Sequence, residues 1–286
     1  MGKIYWLASY PKSGNTWMRI LLANYLRKAD HPAEINSLDQ VPIASARAMF
    51  DSALGIETSD LTQDEIDRYR PLVYEHLSHQ AKEPLFLKVH DAFTYTPYGY
   101  PLLSKTATAG VLYLVRNPLD VAVSFAHHTA QSVEVMVARM GNANFCLAKN
   151  PEGLHEQLQQ RLLTWSGHVR SWLDEPDLRV NVVRYEDLQA DTVGQLAEVV
   201  RFCGLEEDPD RMAQAVEFSR FDRVQQQENE RGFREKAPLA GAFFRRGRVG
   251  SWRDALSPAL VDQLIADHRP VMTRLGYLTA SGDLAY

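Results

Sequence analysis

The chain has 286 residues, 45% of them hydrophobic, enough for a buried core in one domain spanning residues 1–286. Its formal charge of −5 excludes a protein whose whole surface binds nucleic acid, because that binding rests on many released counterions. A local basic pocket is still compatible with this balance.

Cys146 and Cys203 show no metal-ligand spacing and fit buried thiols in a reducing cytoplasm. No run approaches the roughly 18 apolar residues of a membrane span, and the opening Met1-Gly2-Lys3 leads into no secretory signal. A cytoplasmic protein with neither a membrane nor a nucleic-acid partner is expected.

Residues 4–8 form an apolar run predicted as the central strand. After the turn Tyr10-Pro-Lys-Ser-Gly-Asn-Thr-Trp17, Met18, Leu21, Leu22, Tyr25 and Leu26 recur at helical spacing. Strand, tight turn and helix together make an anion cradle, because turn amides and the helix dipole converge on a phosphate. Lys12 adds a cation, Ser13 and Thr16 add hydroxyls, and Gly14 permits close approach. The pattern is not a Walker A loop: the leading glycine is absent and the lysine precedes its glycine.

Residues 30–84, punctuated by four prolines, are expected to be helical and to shape a pocket. Residues 85–90 read as a second strand, 92–105 as a loop and 111–115 as a third strand, after which Pro118 and Asp120 open a helix. A helical pattern covers 157–173, a fourth strand covers 180–183, and helices follow at 192–202 and 209–218. Residues 222–250 are predicted as a long polar loop, and 256–275 as a closing helix. The fold class is α/β: a P-loop-like, mostly parallel central sheet flanked by helices on both faces. Ligands of such sheets bind beyond the carboxyl ends of the strands. Lys12, Lys88, His90, Arg116 and residues 184–187 all fall there, which points to a single site.

Several stretches resemble the sulfotransferases that use 3′-phosphoadenosine 5′-phosphosulfate (PAPS). Residues 10–17 resemble their 5′-phosphosulfate loop, and Arg116-Asn-Pro-Leu-Asp-Val-Ala-Val-Ser124 resembles their 3′-phosphate motif. Arg245-Arg-Gly-Arg-Val-Gly-Ser-Trp252 is similar to their C-terminal R-K-G-x-x-G-x-W segment. Lys88-Val-His90 stands where the family has its catalytic histidine, and Arg184-Tyr-Glu-Asp-Leu188 matches a further family stretch. Within the family the chain looks most similar to bacterial enzymes that sulfate small molecules, including glycopeptide antibiotics. Residues 228–235 and 243–250 carry that likeness to secondary-metabolism enzymes. Asn15 replaces a common threonine but is expected still to donate to a phosphate, and Arg246 replaces a lysine with its charge kept. The animal dimerisation motif is not evident after Trp252, so oligomeric state stays open.

The resemblance implies transfer of a sulfuryl group from PAPS to a hydroxyl, less readily an amine, of a small-molecule acceptor. The product is adenosine 3′,5′-bisphosphate (PAP), and no metal is required. Pro11, Lys12, Ser13, Gly14, Asn15, Thr16 and Trp17 would grip the 5′-phosphosulfate. Arg116, Ser124, Arg245, Arg246 and Gly247 would hold the 3′-phosphate, and Tyr185 and Phe221 would flank adenine. Trp17 reads equally as a core side chain, and for Phe221 core packing is the first reading.

Lys12 would face the leaving oxygen, with Ser124 restraining it. His90 would act as the base, and Lys88 projects to the same strand face. His127 and His128 are expected to be structural or pocket-lining. The acceptor would meet residues 30–84, Phe93, Tyr95, Tyr98, Tyr100 and residues 222–245. Two other readings remain: a P-loop-type kinase using ATP, and a catalytically silent nucleotide-binding protein.

Overall fold

The computed structural model describes residues 2–149, 155–237 and 239–285. Among the described residues six strands run in chain order: β1 (Ile4–Ser9), β2 (Leu85–Val89), β3 (Thr108–Val115), β4 (Cys146–Leu147), β5 (Gln160–Arg161) and β6 (Val180–Arg184). The main sheet has the order β2-β1-β3-β6 with every pairing parallel. The strand β1 is buried along its whole length, which is why it reads as a continuous apolar run. Beside β2, Ile43 forms a parallel bridge to Lys88, fixed by the Ala44 amide on the Lys88 carbonyl at 2.8 Å.

Alternation along β1 divides the core. Ile4, Trp6 and Ala8 face one cluster, and Tyr5 and Leu7 face another. The first face is covered by α3 (Gln63–Gln80), α4 (Pro118–Thr129), α6 (Trp165–Leu173) and α11 (Pro258–Arg274), through Tyr74, Phe125, Val169 and Leu264. The second is covered by α1 (Asn15–Arg27), α8 (Thr192–Phe202) and α9 (Pro209–Phe218), through Leu21, Val199 and Met212. Helices on both faces leave only the strand ends open to a ligand. The remaining helices are α2 (Arg47–Leu54), α5 (Val133–Met140), α7 (Tyr185–Ala190) and α10 (Phe221–Arg231). Among the described residues, no helix is long and apolar enough to cross a membrane.

Two expectations need correction. The long loop predicted at 222–250 begins with α10, a run of Gln, Glu and Arg without Gly or Pro until Gly232. These side chains favour helix, and only Val224 and Glu228 are buried, so the apolar period is weak. The helical pattern at 157–173 shortens to α6, which is capped by Thr164, while β5 pairs antiparallel with β4. The predicted buried thiols divide as well: Cys203 is buried and Cys146 is half-buried.

Candidate functional site

A cavity of about 890 Å³ opens at the carboxyl ends of the strands. The turn after β1 holds Lys12 at φ 68° and Gly14 at φ 97°, both left-handed. Gly14 is the N-cap of α1 and no side chain caps it, so amides of the first turn are left for a ligand. A second constraint also selects glycine here. A Cβ on residue 14 would lie 2.7 Å from Cδ2 of Tyr185.

Pro11, Lys12, Gly14, Asn15, Thr16 and Trp17 line the cavity. The Lys12 ammonium lies 3.7 Å from the centre of the Phe243 ring. Burial first, then Lys88 and Arg116, push its pKa down to about 7. Ser124 lines the cavity, but no hydrogen bond joins it to Lys12 among the described residues, so the expected restraint falls to Phe243. Ser13 lies outside the lining, with its hydroxyl buried and unpartnered among the described residues.

Asn15 corrects the expectation of a phosphate donor. Its amide nitrogen donates inward to the Leu7 carbonyl at 2.8 Å and the Ser9 hydroxyl at 3.1 Å. Both amide hydrogens are then used, so only the backbone of Asn15 can serve an anion.

The end of β2 supplies a lysine and a histidine. His90 Nδ1 sits 2.8 Å from the Ser9 carbonyl and 3.2 Å from the Ser9 hydroxyl. A carbonyl can only accept, so Nδ1 carries the proton and Nε2 keeps its lone pair. Burial, reinforced by Lys88, holds the imidazole well below its ordinary pKa, hence neutral. Behind it, Tyr113 donates to His168 Nδ1 at 2.8 Å, and His168 Nε2 donates to the His90 carbonyl at 3.1 Å.

The Lys88 ammonium donates to Glu235 at 2.6 Å, and Arg19 pairs with the other oxygen of the same carboxylate. Burial pulls the Glu235 carboxyl upward, but Lys88 and Arg19 outweigh it and hold it at about 2. Glu235 stood inside a predicted loop, at the end of the 228–235 stretch, and no local pattern assigned it a partner. Glu228 was hidden in the same way: its two oxygens accept the Phe243 and Phe244 amides at 2.7 and 2.8 Å, fixing the segment that covers Lys12.

At the end of β3, Arg116 donates to the Arg248 carbonyl at 3.0 Å and lies 4.3 Å over the Tyr185 ring, while its Nε is buried without a partner among the described residues. Asp120, one helical turn further on, accepts the Gly250 amide at 2.8 Å, the Ser251 hydroxyl at 3.0 Å and the Trp252 amide at 3.1 Å. The helix α4 thereby clamps the late segment, and Arg245, Arg246 and Gly247 come to line the cavity beside Arg116. Gly247 has φ 56°, and a Cβ there would lie 2.4 Å from the Phe221 ring.

At the β6 end, Trp17 meets Tyr185 edge-on at 5.9 Å and donates to the Ser219 carbonyl at 3.0 Å. Trp17, Tyr185 and Phe221 all line the cavity, so the two readings of Trp17 and Phe221 combine: each packs on neighbours and forms wall. Glu186 joins the parts by accepting the Asn117 amide and the Tyr277 hydroxyl, each at 3.0 Å.

The aromatics expected around the acceptor are not in the cavity. Phe93 is core, edge-on to Trp172 at 5.4 Å, and Tyr95, Tyr98 and Tyr100 are exposed on the outer surface. No side chain from residues 30–84 lines the cavity either. His128 does line it, edge-on to Phe243 at 5.6 Å; burial, then Lys12 and Lys88, push it down to about 4. His127 lies outside the lining.

A sulfotransferase-domain model matches residues 3–276. Rat sulfotransferase 2A6 is 26% identical over 266 residues, covering 88% of this chain and 78% of the relative. Cytosolic sulfotransferase 12 of Arabidopsis thaliana is 23% identical over 266 residues, covering 90% and 74%. The crystal structure of mouse sulfotransferase SULT7A1 complexed with PAP shares the fold, with TM-score 0.62 and 18% identity, covering 98% of this chain and 87% of that one. With its strand-end cavity and a family match over nearly its whole length, the chain belongs to the sulfotransferase-domain family.

Proposed function

We propose that the protein is a PAPS-dependent sulfotransferase acting in one domain on a hydroxyl of a small-molecule acceptor. The observation that carries this is the convergence of an uncapped helix N-terminus, Lys12 and the Arg116–Arg245 pair in one cavity. The residues present fit a doubly phosphorylated donor. The unpartnered Nε of Arg116 is a buried donor in need of an acceptor, and the free amides of α1 offer a second anion site. The PAP-bound mouse relative supports the donor assignment.

The donor supplies an activated sulfuryl group on its 5′-phosphate. Amides of Gly14, Asn15 and Thr16 with Lys12 would hold that phosphate and stabilise its growing charge. Arg116, Arg245, Arg246 and the Gly247 backbone would hold the 3′-phosphate, and Trp17, Tyr185 and Phe221 would enclose adenine. His90 Nε2 would take the acceptor proton as the acceptor oxygen bonds to sulfur, while the electron pair of the broken sulfur–oxygen bond goes to the departing phosphate. Lys88, lining the same cavity, would add charge beside the transferred group. Charge comes from the lysines and arginines, with no metal assigned a role.

We place the enzyme in the cytoplasm, without a nucleic-acid or membrane partner, among bacterial enzymes that tailor glycopeptide-type natural products. The stretches 228–235 and 243–250 support that placement. Titration calorimetry tests the donor: tight binding of PAP without magnesium and weak binding of ATP are expected. Preference for MgATP sinks the proposal in favour of a kinase, and PAP binding without any sulfuryl transfer leaves a silent nucleotide binder.

A further inference from the structure

The strand order separates the cavity into two ends. Arg116 and Tyr185 stand directly after β3 and β6, on one side of the β1 loop. Lys88 stands on β2 and His90 directly after it, at the other side. Beside them runs the segment that includes β5: the Leu158 amide donates to the Ser45 carbonyl and the Ala92 amide to the Arg161 carbonyl, at 2.8 and 2.7 Å. With the donor spread toward β3 and β6, the β2 end is where an acceptor approaches His90.

That end is not an apolar slot. Gln160, only 4% exposed, donates through Nε2 to Oε1 of Gln157 at 3.1 Å, and Gln157 also accepts from Ser45 at 2.9 Å. Both glutamines line the cavity, and so does His128. Nδ1 of His128 is buried and has no hydrogen-bond partner among the described residues, and the ring stands edge-on to Phe243. Phe243 lies against both the Lys12 ammonium, at 3.7 Å, and the His128 ring, at 5.6 Å, which brings His128 beside the transfer centre. A neutral imidazole and a pair of amides offer hydrogen bonds of both senses with no net charge. An apolar ligand covering them would leave those groups desolvated and unpaired, at a cost.

We propose that the acceptor is a hydroxyl-rich molecule, whose hydroxyls adjacent to the reacting one are read by His128, Gln157 and Gln160. The inference rests on the donor reading above. Two neutral flavonols give a matched pair of probes: 3-hydroxyflavone and the pentahydroxylated quercetin share a ring system and differ in hydroxyl count.

The test begins with calorimetry of PAP on the full chain, followed by titration of each flavonol into the PAP-loaded protein. Quercetin should bind at least about tenfold more tightly, the scale of one well-made hydrogen bond. His128→Phe and Gln160→Leu should each remove most of that preference while leaving PAP affinity and the affinity for 3-hydroxyflavone in place. A purely structural role would lower both flavonols together, and that result overturns the proposal. So does the absence of any preference in the wild-type protein, including no measurable binding of either probe. Failure of PAP itself to bind removes the donor reading and this inference with it, whereas PAP binding with no flavonol preference removes this inference alone.

Discussion

The Lys88 ammonium lies 2.6 Å from the Glu235 carboxylate, across 147 positions of sequence, and the same carboxylate pairs with Arg19 of α1. One half-buried anion thus ties the late segment, the edge strand and the helix beneath the anion loop. Glu235→Gln should leave two cations without their partner and destabilise the fold by roughly 2–3 kcal/mol, somewhat below a fully buried pair. The Glu235 carboxyl titrates at about 2 against an ordinary 4.5, so its contribution is present above pH 4.5 and is lost as pH falls through about 2. Urea melts of wild type and variant should therefore differ at pH 7 and converge at the acid end. A constant gap down to pH 2 contradicts the assignment.

Lys12 has a pKa near 7, so near neutrality the ligand-free protein is a mixture of charged and neutral lysine. Bound phosphates favour the charged form and raise that pKa, so PAP binding takes up a proton above pH 7. Affinity should fall with rising pH, by up to about tenfold per unit. Calorimetry in two buffers of different ionisation enthalpy reads the uptake directly. Lys12→Arg, which cannot lose its charge, should flatten the pH dependence.

His90→Ala should retain PAP affinity and lose about 10²–10⁴-fold in turnover, the usual contribution of a positioned base. Because burial and Lys88 hold His90 well below 6.5, its basic form persists on the acid side of neutrality. Turnover should accordingly show no acid limb centred on 6.5. A limb at that position, or unchanged turnover in the variant, removes His90 from the role.

Gly14→Ala combines a left-handed φ of 97° with a Cβ 2.7 Å from the Tyr185 ring. Backbone strain of this kind costs about 1–3 kcal/mol, and the displaced ring should weaken PAP binding as well. Gly55→Ala is the control, with φ 69° and nothing within 4 Å of the new carbon. Thermal melts should show both variants destabilised, with PAP affinity lowered only in Gly14→Ala.

The sheet and the positions at its strand ends were legible in the sequence. Lys12, Lys88, His90, Arg116 and Tyr185 each stand within a few residues of an apolar strand, and parallel strands carry their termini to one edge. Short-range order of that kind is encoded by periodicity and turn residues. The helix α10 was not legible, because its burial rests on few apolar side chains.

The sequence by itself determined the strand-turn-helix cradle, the four parallel strands and the strand ends on which the cations and His90 stand, all of which follow from local residue pattern. Only the tertiary structure decided where side chains point and what they pair with. It turned the Asn15 amide into β1, put Phe243 in place of Ser124 against Lys12, buried Phe93 in the core and brought Glu235 to Lys88. Those choices depend on packing and charge between segments far apart in the chain, and no local pattern carries that information.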